Sequence, residues 1–158
     1  MIRLSKLTDY AVVVLTEMAR IDGRAGQPTV FTAPALGERT AAPVPTVQKV
    51  LKLLVKGGVV VSTRGAAGGY TLARTADRIT VAQIIQAVDG PIALTDCVDG
   101  AEGACGVERL CPIRGNWDKV NRAVRVALES VTLADMATPA LPELPAMPPA
   151  RRAVAVAG

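Results

Sequence analysis

The stretch Val44-Pro45-Thr46-Val47-Gln48-Lys49-Val50-Leu51-Lys52-Leu53-Leu54-Val55-Lys56-Gly57-Gly58, continued by Val59-Val60-Val61-Ser62-Thr63-Arg64-Gly65-Ala66-Ala67-Gly68-Gly69-Tyr70-Thr71-Leu72, decides the fold. Its first half is apolar at Val47, Val50, Leu51, Leu54 and Val55, the repeat of one helix face, with Gln48, Lys49, Lys52 and Lys56 on the other side. A start near Pro45 costs no hydrogen bond, and Gly57-Gly58 stops the helix. The second half holds the β-branched run 59–63 and the strand-like run 70–72. Between them, Gly65, Gly68 and Gly69 give the backbone freedom that a hairpin tip requires. A helix with a polar, basic face followed by a hairpin with one arginine near its tip predicts a wing.

Upstream, residues 33–40 read as a short helix with Thr32 as N-cap and Pro34 in the first turn, broken at Ala41-Ala42-Pro43. With the helix that follows it makes a helix-turn-helix, the shape that places a second helix in a DNA groove. A strand-like Thr29-Val30-Phe31 precedes it. Farther back, Leu7, Ala11, Val14, Leu15 and Met18 predict a helix over 6–20, capped by Ser5 or Thr8 and broken by Asp22-Gly23 and Gly26-Gln27-Pro28. Downstream, Thr80-Val81-Ala82-Gln83 is a capping box opening a helix with Val81, Ile84, Ile85 and Val88 on one side, expected to pack under the wing. Trp117, Val120, Val124, Leu128 and Val131 predict a long amphipathic helix from about 115 to 136, whose stripe a partner copy would cover. Five prolines between Pro139 and Pro149 predict a disordered tail. The expected fold is therefore mainly α with a small β-hairpin. A winged helix-turn-helix domain covers 1–90, a cysteine loop 91–114, a dimerisation helix 115–136 and a Pro/Ala-rich tail 137–158.

Composition narrows the function. The 158 residues are half hydrophobic and one-fifth charged, enough apolar material for one domain with a real core. No apolar run reaches the ~18 residues of a membrane helix, and the first six residues lack a signal-peptide pattern. A cytoplasmic protein without a membrane partner is expected. The absence of histidine removes the commonest general base and most zinc enzyme sites. Four aromatics are too few for a base-stacking platform on single strands. No acid–base pair stands out, and 65–69 lacks the Gly-Lys-Ser/Thr of a phosphate-cradling loop, so no enzyme is expected. Between Arg39 and Ala76 the chain carries Arg39, Lys49, Lys52, Lys56, Arg64 and Arg74 with no carboxylate, an electrostatic footprint for a polyanion. The segment 91–113 reverses the sign, with Asp96, Asp99, Glu102 and Glu108 against Arg109 alone.

That acidic segment also holds all three cysteines, Cys97, Cys105 and Cys111, spaced C-x7-C-x5-C. Thiolates are the usual protein ligands of iron–sulfur clusters and also bind zinc. Glycines around Asp99-Gly100-Ala101-Glu102-Gly103 allow a loop to wrap a cluster, and Cys111-Pro112 is similar to the end of some cluster-binding runs. Ligation, redox-active thiols and simple packing are the three roles these residues permit. A cluster with three thiolates needs a fourth ligand; without histidine it would be a carboxylate, from this chain or another subunit.

Three pieces together, Arg3-Leu4-Ser5-Lys6-Leu7-Thr8-Asp9-Tyr10-Ala11, the wing 64–72 and the cysteine loop, resemble the IscR/NsrR family of winged-helix regulators over residues 1–136. The runs 90–97 and 110–117 are similar to the branch that regulates SUF-type iron–sulfur assembly. The resemblance implies a homodimeric, DNA-binding transcriptional regulator, a repressor or dual regulator, with repression of assembly genes the expected action. Its iron–sulfur cluster, 2Fe–2S or 4Fe–4S, would tune binding to a pseudo-palindromic operator in double-stranded DNA in response to cluster supply, oxidation or nitric oxide. By position, Thr46, Gln48 and Lys49 would meet base edges or flanking phosphates. Lys52 would meet a phosphate, and Arg64 would enter the minor groove.

The chain departs from the family where the cluster would sit. The 2Fe–2S-binding branch has C-x5-C-x5-C and a histidine three residues past the last cysteine, a position that is Arg114 here. The nitric-oxide-sensing branch uses an aspartate near the N-terminus, given across the dimer, and Asp9 matches that position. The resemblance thus implies Cys97, Cys105, Cys111 and Asp9 in trans, while the helix macrodipole gives an acidic residue at position 9 a purely structural reason as well. A metal-free thiol switch and a zinc-stabilised DNA-binding module are the alternatives.

Overall fold

The computed structural model describes residues 3–65, 68–96, 98, 113 and 115–138. Cys97, Cys105, Cys111 and Arg114 lie outside the described residues, as does the tail from 139 onward. In chain order the helices are α1 (Lys6–Ala25), α2 (Ala33–Thr40), α3 (Val44–Lys56), α4 (Val81–Asp89), α5 (Asn116–Glu129) and α6 (Leu133–Ala137). Strands β1 (Val60–Thr63) and β2 (Gly69–Leu72) and a 3-10 turn at Ala76–Arg78 lie between α3 and α4.

The core forms where the apolar faces of α1, α2, α3 and α4 meet: Val14, Leu15 and Met18 from α1, Leu36 from α2, Val47, Val50, Leu51 and Leu54 from α3, and Ile84 from α4, all fully buried. Gly57, at the end of α3, lies so close to α4 that a β-carbon there would overlap the Ala87 methyl. Helix α4 therefore seats on α1 and α3, not chiefly under the wing. Thr80 caps α4 through the reciprocal bonds expected of it: its Oγ1 accepts the Gln83 N–H at 3.3 Å while Gln83 Oε1 accepts the Thr80 N–H at 3.2 Å. Thr80→Ala is expected to lower the unfolding free energy by about 1 kcal/mol, measured by urea titration.

Two helix boundaries differ from the sequence expectation. Helix α1 passes through Asp22-Gly23 and ends only at Gly26, which takes the left-handed conformation (φ +66°) of a C-cap. A glycine inside a helix costs roughly 1 kcal/mol relative to alanine, which the packing of α1 overrides. The helix expected to run to Met136 stops at Glu129, and Val131 lies in the break. Thr132 starts a new helix with its own reciprocal cap on Asp135. The Thr132 hydroxyl, then its amide, hold the Asp135 carboxyl below the ordinary aspartate pKa. The break turns the chain back onto the core: Val81 N–H donates to Val131 C=O at 2.9 Å, Leu133 N–H donates to Ile79 C=O at 2.7 Å, and Leu133 is fully buried.

Candidate nucleic-acid interface

Burying Val47, Val50, Leu51 and Leu54 turns the opposite face of α3 outward. Pro45, Gln48, Lys49, Lys52 and Lys56 are all exposed along it, while Thr46 sits at its border, half-buried. In front of α3, α2 ends at Ala41 in the left-handed region (φ 54°), so the chain reverses in three residues before α3 begins.

The hairpin leaves the core from a buried root and ends in solvent. Val59 and Val60 are buried, whereas Val61, Ser62, Thr63 and Arg64 are exposed. Its antiparallel register pairs Val60 with Leu72 and Thr63 with Gly69. Phe31 adds a single bridge on the far side of β2, exchanging both backbone bonds with Tyr70 at 2.9 and 2.8 Å. Gly69 permits this approach, since a β-carbon there would lie 2.5 Å from the Phe31 carbonyl oxygen. The residues 29–31 thus brace the wing as a one-residue bridge instead of forming a strand. Beyond Arg64, Gly65 turns at φ +116° and its carbonyl accepts the Gly68 N–H at 3.0 Å.

The basic surface is narrower than the sequence count. Arg39 is spent on Glu17, Nε to Oε1 at 2.8 Å, joining α2 to α1. Arg74 donates to Gln83 Oε1 at 3.4 Å. Among the described residues Lys49, Lys52, Lys56 and Arg64 pair with no carboxylate. Four unpaired cations on one helix face and one hairpin tip suit a phosphate backbone, whose neutralisation displaces counterions.

Where the end of α4 meets the start of α1, Ser5 Oγ and Thr8 Oγ1 each donate to one oxygen of Asp89 at 2.7 Å. The carboxylate at the end of α4 thereby sits at the positive N-terminus of α1, and the fully buried Thr8 hydroxyl is satisfied. Asp9 is the next residue, exposed in the first turn of α1, with no side-chain partner among the described residues. Gly90 and Pro91 leave this same junction toward Cys97.

On α5, Asn121 alone is buried; Trp117, Val120 and Val126 are 37, 46 and 56 % exposed, and Val124 and Leu128 half-buried. Of the stripe read from the sequence, Trp117, Val120 and Val131 are thus left exposed among the described residues and Val124 and Leu128 partly so, while Val126 lies outside the stripe. Asp89 and Asn121 escaped the sequence reading because their partners lie 81–84 and 27–29 residues away.

Comparison with known proteins fits this geometry. Residues 4–139 match the model of the Rrf2 family, described as an iron-dependent transcriptional regulator. The chain belongs to the Rrf2 family. It is 31% identical over 131 residues to the rrf2-like HTH-type regulator of Rhodobacter capsulatus, covering 80% of this chain and 87% of that one. It is also 31% identical over 134 residues to IscR of Erwinia tasmaniensis, covering 85% and 78%. Among solved structures, CymR, the global cysteine regulator of B. subtilis, superposes with a TM-score of 0.63 at 26% identity, covering 87% of this chain and 97% of that one. IscR of T. potens superposes with 0.57 at 28% identity, covering 85% of each. This Rrf2 protein is a winged-helix, DNA-binding transcriptional regulator and not an enzyme. Among its described residues no helix is long and apolar enough to cross a membrane.

Proposed function

We propose that this regulator represses iron–sulfur assembly genes and that Cys97, Cys105 and Cys111, with Asp9 given across a homodimer, hold the cluster that tunes its operator affinity. The observation that carries the reading is the exposed Asp9 carboxylate, without a side-chain partner among the described residues, beside the junction from which the cysteine segment departs. The donor chemistry fits: three thiols within fifteen residues, no histidine in the chain, and a free carboxylate to complete a set of four. When bound, a cluster supplies a redox-active centre whose presence follows iron and sulfur supply. The chain's own residues do the rest. Gln48, with Thr46 and Lys49 beside it, addresses base edges, Lys52 neutralises a phosphate, and Arg64 reads the minor groove. The stripe Trp117, Val120, Val124 and Leu128 pairs with its copy, with Val131 at its margin. A two-fold dimer calls for half-sites about one helical turn apart or a multiple of it.

The first test is iron, acid-labile sulfide and zinc content, with a visible spectrum, on protein purified without oxygen. The expected result is brown protein with near-equal iron and sulfide, and loss of retained iron in Asp9→Ala. Colourless, iron-free protein after attempted reconstitution would overturn the cluster. With zinc present, the cysteines would be a structural site. With no metal, they would act as thiols, on a scaffold that CymR, described as a cysteine regulator, shares.

A further inference from the structure

We infer that Asn121 is the positioning residue that ties the cysteine segment to α5, an inference that rests on the sensing role proposed above. Both polar ends of its side chain are spent on one backbone stretch: Oδ1 accepts the Leu94 N–H at 3.1 Å, and Nδ2 donates to the Ile92 carbonyl at 3.0 Å. That stretch leaves α4 and enters Cys97 three residues later. A carboxamide offers a donor and an acceptor together, so it can hold an N–H and a C=O two residues apart as a neighbouring strand would. Packing alone does not ask for it. Position 121 borders the apolar stripe, where a leucine would bury without the desolvation that an amide must recover through complete hydrogen bonding. The polar choice sets one register between residues 92–94 and α5.

The rest of α5 explains what that register controls. Its far end is tied at Val131 to Val81 and at Thr132 to Thr80, so α5 runs antiparallel to α4 and is held at both ends. Helix α4 meets α3 where Gly57 lies against Ala87. A shift of residues 92–94 therefore moves α5 as a lever, through α4, on α3, which presents Gln48 and Lys52. Without the Asn121 bonds, the same shift is absorbed in the segment.

The test measures operator affinity of the full-length protein, purified without oxygen, before and after exposure to air, with hydrogen exchange at the Leu94 amide. In Asn121→Leu the ratio of the two affinities is expected to fall to within about twofold of one. The Leu94 amide should exchange at least about tenfold faster than in the parent, and the affinity before exposure should stay within about twofold. Asn121→Asp keeps the acceptor for Leu94 N–H but loses the donor, so it should retain the protection and show a reduced ratio; it carries the test if the leucine variant does not fold. A merely structural role would lower stability and leave the ratio unchanged. A parental ratio in either variant, or a Leu94 amide already unprotected in the parent, overturns the inference. If the parent has no response to air, the sensing reading falls, while Leu94 exchange still judges the tie itself.

Discussion

Leu133→Ala is expected to lower the unfolding free energy by about 2–5 kcal/mol, the range for removing a leucine from a well-packed core. Leu133 is fully buried although it lies beyond the segment that carries the cysteines, and its N–H is spent on the Ile79 carbonyl at 2.7 Å. Its neighbours come from α1 and from the turn before α4, so the cavity would open in the middle of the winged domain. Val126→Ala, on the exposed side of α5, is the control and should change stability by no more than about 0.5 kcal/mol. Both belong in denaturant titrations at one fixed protein concentration, because the proposed dimer would make apparent stability concentration-dependent. A Leu133→Ala protein as stable as its parent would mean that α6 does not close the core.

The importance of Leu133 also marks where sequence reading runs out. Helices α2, α3 and α4 and the hairpin are each specified locally, by a stripe, a cap, or glycines between strand-like runs, and they span the residues the sequence assigns them, although α4 packs on α1 and α3 instead of chiefly under the wing. The break at 130–132 has a local signal as well, Thr132 followed three residues later by Asp135. The stripe from Trp117 to Val131 continues through it without glycine or proline, so periodicity alone hides the turn. Helix α1 errs the other way: Asp22-Gly23 looks like a stop, yet burial of the preceding turns carries the helix on to Gly26. The site divides similarly. The outward face of α3 and the tip arginine follow from local pattern. The Asp89 clamp on Ser5 and Thr8 and the Asn121 tie are pairings across the chain, for which neither member carries a mark. The narrowing of the basic surface is of the same kind, because nothing in Arg39 itself announces that Glu17 takes its charge.

Arg64→Ala is expected to weaken specific operator binding by about 1–3 kcal/mol at a fixed, stated salt concentration. The role proposed for Arg64 rests on its position. It is exposed at the end of β1, lacks a carboxylate partner among the described residues, and stands on a hairpin whose root is buried and whose flank is braced by Phe31. Such a base holds the guanidinium out where a narrow minor groove, with its enhanced negative potential, can receive it. Lys52→Ala separates this role from general attraction. If Lys52 meets a phosphate as proposed, its removal should weaken binding to all sequences alike and reduce the salt slope by about one counterion. Loss of Arg64 should instead fall more heavily on the operator than on unrelated DNA. Titrations of both variants against both DNAs at two salt concentrations decide the matter. Equal losses on operator and random sequence for Arg64→Ala would reduce the wing tip to a phosphate anchor, and unchanged affinity would remove it from the interface.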